Sequence, residues 1–277
     1  AGLDVKFNEK KIDAFAKYLN KIWNAAKLVA LKGEGDYKLR APDYDSLKMN
    51  SSKWILGRLQ EVQEAYRQKM DNYEFSVALE LIYHFSWDYF CAWYLEIAKI
   101  ELETASENTE EIKGTMFTVF EGIMQMIHPF MPFFSEAIHE EMARFGSEKM
   151  LAEKQFLQVE GYEAENYREA AVEMQKTIDL VTAAREFRKA LGKGFKDKLT
   201  ICPDFSVSAG MLDLAARLAA VDFADLEAKT AVVKPFVSGK VLIASTAEEK
   251  VKFRAMLEDG LAKSRAELSQ LEKILTP

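Results

Sequence analysis

The residue types that usually carry catalysis are scattered along this sequence. Its three histidines, His84, His128 and His139, are too dispersed for a metal site, and no HExxH motif occurs. The Gly-Lys-Gly turn at residues 192–194 lacks the full GxxxxGK[ST] pattern and follows a helical stretch, which argues against a phosphate loop. No GxSxG or CxxC motif is present either. We therefore predict no catalytic residue, no metal site and no cofactor in this chain.

The charged side chains are more informative because they are unevenly placed. The net charge is −7, yet residues 6–69 hold fourteen Lys and Arg against eight Asp and Glu, and residues 185–198 hold six against two. Phosphate contacts depend on local charge, so an acidic protein with two basic islands can still bind a polyanion. The alternative is that these side chains only solvate helix surfaces. Charge alone does not decide between the two.

Four residues of the first island are candidates for contacting a polyanion. Asn24 and Lys27 lie one helical turn apart, and Lys53 and Trp54 open a second predicted helix. The free N–H groups at a helix N-terminus favour an anion. Trp54 either stacks on an unpaired base or packs in the core beside Ile55, and its position in the sequence leaves both open.

The first half of the chain is predicted to be a bundle of helices that would carry these residues. The segment 83–95 contains seven aromatic residues that leave no face of a helix without a ring, so it should lie at the centre of the bundle. Four or five amphipathic helices with short connections form an antiparallel bundle. Periodicity and capping signals place them at about residues 8–31, 50–70, 73–103, 109–128 and 135–145.

The pattern changes after Gly146 and predicts a small α+β domain. An extended stretch is followed by a helix at about residues 164–191. Short apolar runs bounded by turn residues then predict three strands and one intervening helix, at residues 198–202, 231–236 and 240–244 and at residues 209–220. The predicted organisation is a helical bundle over residues 1–148, a linker over 149–164 and the α+β domain over 165–245.

A terminal helix of coiled-coil type is predicted over residues 246–277. Thr246 and Glu249 have the spacing of a capping box. The positions that follow alternate steps of four and three, which is a heptad seam, at Leu257, Leu261, Ser264, Leu268, Leu271 and Leu275. The seam predicts a single coiled-coil arm that is exposed, folded back or docked on a second molecule, so self-association is one expected use of it.

The composition is that of a soluble globular protein, with 49% hydrophobic and 29% charged residues. No apolar run reaches the roughly 18 residues that span a bilayer, and the N-terminal residues lack a signal-peptide core. Cys91 and Cys202 are expected to be reduced core residues. We predict a cytoplasmic protein that binds neither membrane nor DNA.

Four segments carry a family resemblance: NKIWNAAK at residues 20–27, SSKWILGRL at 51–59, FSWDYFCAWYLEIAK at 85–99 and HPFMPFFSE at 128–136. Together they resemble the anticodon-binding region of class I valyl-tRNA synthetases. The isoleucyl and leucyl enzymes share the WN and HPFxP elements, whereas the WDxFCxWYLExAK pattern is most characteristic of the valyl enzyme. Beyond residue 145 the resemblance is weaker. There, residues 184–188 resemble the RxxR helix that leads into the family's C-terminal α+β element, and the leucine seam resembles the first arm of its antiparallel coiled coil.

The resemblance implies recognition of tRNA(Val) through the anticodon stem, as the C-terminal part of a valine–tRNA ligase. It also implies that the Rossmann catalytic core with its HIGH and KMSKS signatures, the editing domain and the second coiled-coil arm lie outside this chain. The parent enzyme would use ATP for aminoacylation. This chain alone would have no catalytic site and would need no cofactor.

The same resemblance implies where tRNA is contacted. The positions are Asn24, Lys27, Lys53 and Trp54 in the bundle, and Arg185 and Arg188 beyond it. This sequence has lysine at Lys27 and Lys53, where the family commonly has arginine. Lysine supplies charge but not a bidentate fork, so phosphate contact is expected there and base-edge reading is not. The resemblance also favours the stacking interpretation of the tryptophan.

Two alternatives remain open at this stage. The chain could be the anticodon-binding region of an isoleucyl- or leucyl-tRNA synthetase. It could also be a non-catalytic helical scaffold that uses the leucine seam for protein contact, with the basic islands as solvated surface. A self-contained enzyme would require a catalytic group that this sequence does not offer.

Overall fold

The computed structural model describes residues 9–33, 41–104, 106–143, 150–154, 156 and 167–275. The chain divides into two compact units, residues 1–171 and residues 172–277. The first is helical and the second combines helices with a small sheet, as the fold class predicted from the sequence requires. No helix in the described ranges is long and apolar enough to cross a membrane.

The first unit is a bundle built around the predicted aromatic helix. That helix runs without a break from Phe75 to Thr104, but its middle third, Phe85–Tyr94, is a π-helical segment. Phe90 and Tyr94 of this segment are completely buried, so their rings form the centre of the bundle. The helices are α1 (Glu9–Gly33), α2 (Asn50–Asp71), α3 (Phe75–His84), α4 (Leu95–Thr104), α5 (Thr109–Ile127) and α6 (Pro132–Ala143).

The contacts between α1 and the π-helical segment show that the two run in the same direction. The Tyr18 hydroxyl lies 2.8 Å from Ser86 Oγ, and its ring centroid lies 5.0 Å from that of Tyr83. One turn further along α1, the Lys21 ammonium lies 4.0 Å from the centroid of the Trp87 ring, within cation–π range. The C-terminal half of α1 therefore extends toward the end of the bundle where α4 ends.

The N-terminus of α2 lies at that same end. Ser51, in the first turn of α2, donates a 2.6 Å hydrogen bond to Glu101 near the end of α4. Just before α2, the amides of Lys48 and Met49 each donate a 2.9 Å hydrogen bond to the Glu111 carboxylate in the first turn of α5. The α1 and α2 residues predicted to contact a polyanion thus lie toward the same end of the first unit.

Part of the predicted linker, residues 149–164, packs on the bundle. Leu151 is buried, and its amide donates a 3.0 Å hydrogen bond to the Glu136 carboxylate of α6. The Phe156 ring lies parallel to the Tyr66 ring of α2 with centroids 6.0 Å apart. Isolated apolar residues anchor this segment although helical periodicity lapses there.

The second unit contains a four-stranded sheet in the order β2-β1-β4-β3. β1 and β2 pair in parallel, with Leu199 opposite Val221, and the other two pairings are antiparallel. The sequence predicted three of these strands and missed β2. The elements are α7 (Arg168–Leu191), β1 (Leu199–Pro203), α8 (Ala209–Ala219), β2 (Val221–Phe223), β3 (Ala231–Phe236), β4 (Gly239–Ala244) and α9 (Ala247–Leu275).

The terminal helix α9 begins at the predicted capping box. The Thr246 amide donates to the Glu249 carboxylate at 2.8 Å, and the Glu249 amide donates to the Thr246 hydroxyl at 3.2 Å. The seam leucines Leu257, Leu261 and Leu268 are 48%, 54% and 59% exposed. For Leu271 and Leu275 the structure describes the helical backbone and not the side chains.

Candidate nucleic-acid interface

The C-terminal half of α1 presents polar and aromatic side chains to solvent. Asn24 and Lys27 are exposed and one turn apart, as the sequence predicted. The neighbouring Trp23 ring is 37% exposed, and the Lys27 ammonium lies 5.6 Å from its centroid. Because an indole that packs in a core is rarely this exposed, Trp23 is available for contact with a ligand. Trp23 was not among the contact residues predicted from the sequence.

A groove of about 230 Å³ runs beside these residues between α1 and α6. Two alanines of α1 on one helix face leave the space that the groove occupies. Its volume is below the roughly 300–1,000 Å³ of pockets for drug-sized molecules, so it suits a single planar group. Its lining residues are Trp23, Ala26, Lys27, Ala30, Ile138, Glu141 and Met142. The groove is apolar with one cation and one anion at its rim.

Lys53, at the start of α2, is half-buried. Its ammonium lies 5.7 Å from the centroid of the Tyr167 ring, and the Tyr167 hydroxyl donates to the Tyr44 carbonyl. The anion-binding capacity predicted for this helix N-terminus is partly used within the protein, because the Glu111 carboxylate already accepts the two amides that precede α2. Lys53 is therefore a weaker candidate for a phosphate than Lys27.

Trp54 has a different environment from the one the resemblance favoured. Its side chain is only 2% exposed and packs against Tyr89, with ring centroids 6.2 Å apart. This corrects the expectation of base stacking, because a buried ring offers no face to a base. The exposed aromatic at this place is instead Tyr89, which is 36% exposed and has the Arg58 guanidinium 5.3 Å from its ring centroid.

The two predicted arginines of α7 have different surroundings. Arg185 is exposed, whereas Arg188 is 6% exposed. The Arg188 guanidinium donates hydrogen bonds to the carbonyls of Asp197, Ala219 and Ala220. All three acceptors lie within the second unit. This corrects the expectation that Arg188 contacts tRNA, because its donors are already committed to holding the end of α8 and the loop after α7.

Glu101 is a buried carboxyl group below the α2 N-terminus. It is 5% exposed, and burial raises its pKa to about 7, while the hydrogen bond from Ser51 lowers it and the charge of Glu111 raises it. A group of this kind is a candidate for function or for pH-dependent stability. It does not form a metal site, since no cluster of three His, Cys, Asp or Glu suited to a metal occurs in the described part of the chain.

Comparison with known proteins identifies the family. Residues 52–202 match the model of the anticodon-binding domain of tRNA ligases. The chain belongs to this family. The match begins in the first turn of α2, runs through the central aromatic helix and ends in β1, so this anticodon-binding domain includes elements of both units.

Several relatives with similar sequences are valine–tRNA ligases. The chain is 33% identical over 202 residues to one from Bacillus cereus and 32% identical over 205 residues to one from Mycoplasma mycoides; these alignments cover 72% and 74% of this chain. A Thermotoga maritima valine–tRNA ligase is 36% identical over 151 residues, which is 54% of this chain and 17% of that relative. The chain spans 22% of the length of the first two relatives.

Proposed function

We propose that this chain binds tRNA(Val) by its anticodon stem and loop as part of a valine–tRNA ligase. The family match over residues 52–202 is the observation that carries the proposal. The similarity to several valine–tRNA ligases supports valine over isoleucine or leucine. In such an enzyme, ATP-dependent aminoacylation and editing would be carried out by parts outside this chain.

The end of α1 and the groove beside it supply the chemistry that recognition of an unpaired base requires. A base that leaves the anticodon stack enters the groove and lies against Trp23, whose ring is exposed there. Asn24 offers both a donor and an acceptor to a base edge. Lys27 forms an ion pair with the phosphate next to that base, without the bidentate hydrogen bonds that an arginine would donate. Glu141, at the groove rim, accepts from a base amino group.

The salt dependence of tRNA binding tests this assignment. Replacing Lys27 by Ala removes one phosphate contact, so the slope of log K against log salt should fall by roughly 0.7–0.9. Trp23→Ala should weaken binding with the slope unchanged, since stacking releases no counterions. Lys69→Ala is the matched control, because Lys69 is paired with Glu74 at the opposite end of α2.

Two results would overturn the assignment. Equal salt slopes for the wild type and Lys27→Ala would show that Lys27 contacts no phosphate. An equal fall of the slope in Lys69→Ala would show that any surface lysine has the same effect. Either result would mean that tRNA binds elsewhere on the chain. Only the absence of tRNA binding would favour the helical scaffold, which needs no RNA.

A further inference from the structure

A second aromatic side chain is exposed in a basic segment, in the loop between α7 and β1. Phe195 is 61% exposed there, and the loop, residues 192–198, belongs to the second basic island of the sequence. The first basic island supplies the proposed anticodon contacts, whereas the second basic island has no proposed ligand. Arg188, which was expected to contact tRNA from this region, is buried.

The loop is fixed by its own hydrogen bonds. Gly192 ends α7 with a φ of +66°, and the Lys193 amide donates to the Arg188 carbonyl at 3.0 Å, closing the last turn of the helix. The Gly194 amide donates to the Asp197 carboxylate at 2.7 Å, and the Asp197 amide donates back to the Gly194 carbonyl at 3.2 Å. The Phe195 ring is therefore presented by a closed turn.

Arg188 supports this turn from the protein side. Its guanidinium donates to the Asp197 carbonyl at 2.9 Å and to the Ala220 carbonyl at 2.8 Å, which ties the loop to the end of α8. The same guanidinium lies 5.8 Å from the centroid of the Phe195 ring. A loop backbone held in this way needs little ordering on binding, so the contacts of the ring it carries translate efficiently into affinity.

The charges around Phe195 favour an anionic partner. Lys189 and Lys196 are exposed, and neither forms an ion pair with any described residue. Lys198 is 75% exposed and only loosely paired with Asp222 at 3.4 Å. The acidic neighbour within the loop, Asp197, is engaged by a backbone amide. The result is an exposed ring in a segment that also carries exposed cations, which is the combination that binds a nucleic-acid strand.

We infer that the loop at residues 192–198, together with the last turn of α7, is a second RNA contact. In it Phe195 stacks on an unpaired base, and Lys196 of the loop and Lys189 of α7 contact neighbouring phosphates. The inference rests on the proposed function for tRNA as the source of that RNA. Arg188 acts as a positioning residue for the ring. A protein partner would instead be expected to meet a larger apolar surface with fewer cations.

A tryptophan at position 195 reports the contact directly. All four native tryptophans lie in the first unit, so Phe195→Trp adds a single fluorophore to the second. The chain of 277 residues is titrated with a tRNA(Val) transcript and with an unstructured single-stranded RNA, and the wild-type signal is subtracted. Val237→Trp is the control, because Val237 is 98% exposed in the β3–β4 turn of the same unit.

We expect saturable quenching by both RNAs for Phe195→Trp and none for Val237→Trp. Phe195→Ala should weaken binding by roughly 5–150-fold with an unchanged salt slope. Lys196→Ala should lower the slope by roughly 0.7–0.9. Absence of quenching, or equal quenching at both positions, would overturn the inference and leave a protein partner as the better explanation.

The experiment separates this inference from the proposed function. If Lys27→Ala weakens tRNA binding while Phe195→Ala does not, the loop contact is overturned and the anticodon assignment stands. If the single-stranded RNA quenches Phe195→Trp while changes in α1 have no effect on tRNA binding, the loop contact stands and the anticodon assignment does not.

Discussion

Replacing Glu101 by Gln should stabilise the first unit at alkaline pH and leave it nearly unchanged at acidic pH. The carboxyl group is 5% exposed, and burial raises its pKa from the ordinary 4.5 to about 7. Between these two values the folded protein holds a proton that the unfolded chain has released. Stability should therefore fall as the pH rises from about 4.5 to about 7, and stay low above that.

The size of the effect follows from that difference in pKa. At about 1.36 kcal/mol per pH unit, the gap between 4.5 and about 7 corresponds to about 3 kcal/mol. In the wild type the Ser51 hydroxyl donates to the Glu101 carboxylate at 2.6 Å. Gln keeps an acceptor for this hydroxyl but carries no charge. At about pH 8 the variant should gain up to about 3 kcal/mol, and at about pH 5 the gain should be below about 1 kcal/mol.

Urea unfolding followed by tryptophan fluorescence measures this change in the relevant unit, because all four tryptophans lie in the first unit. Glu103→Gln is the matched control, since Glu103 is exposed two residues further along α4 and should show no such pH dependence. A variant less stable than the wild type at about pH 8 would refute the reasoning. It would mean that the buried charge is compensated by its surroundings.

Three further predictions concern Arg188, Trp54 and the leucine seam of α9. Arg188→Met leaves the Asp197 carbonyl and the end of α8 without their donor, so the free energy of unfolding of the second unit should fall by about 3 kcal/mol or more. Hydrogen exchange of the amides in the second unit measures this change, and no loss would contradict the positioning role. Trp54→Ala should destabilise the first unit by about 3–5 kcal/mol in urea, and a change below about 1 kcal/mol would contradict its burial. Leu261→Asp with Leu268→Asp should alter the sedimentation of any self-associated species without lowering the stability of the first unit; if that unit melts as well, the division of the chain is wrong.

The sequence predicted the helical bundle well because its signal is periodic and strong. Seven rings in residues 83–95 leave few solutions other than a central helix, and the structure places Phe90 and Tyr94 at the centre. The π-helical geometry of the same segment was not predictable, because it depends on how that helix packs against its neighbours. β2 was missed because three residues, Val221–Phe223, are too short for alternation to be recognised.

The candidate site was only partly predictable. Asn24 and Lys27 are exposed as expected, because their helical spacing fixes their face. Trp54 and Arg188 were misjudged because type and spacing do not report burial, which arises from neighbours distant in sequence such as Tyr89 and Ala220. Exposure of a large ring in a groove or a turn is likewise a tertiary property. Trp23 and Phe195 therefore became visible only in the structure.

Anticodon preference is the measurement that tests the central claim most directly. The affinity of the full chain is compared for tRNA(Val) and for the same tRNA with its anticodon replaced by an unrelated one, at one low salt concentration. Recognition through the groove beside Trp23 predicts a preference of about tenfold or more for the native anticodon, equivalent to about 1.4 kcal/mol. The preference should disappear in Trp23→Ala. Equal affinity for the two RNAs, or no binding of either, would contradict anticodon recognition by this chain.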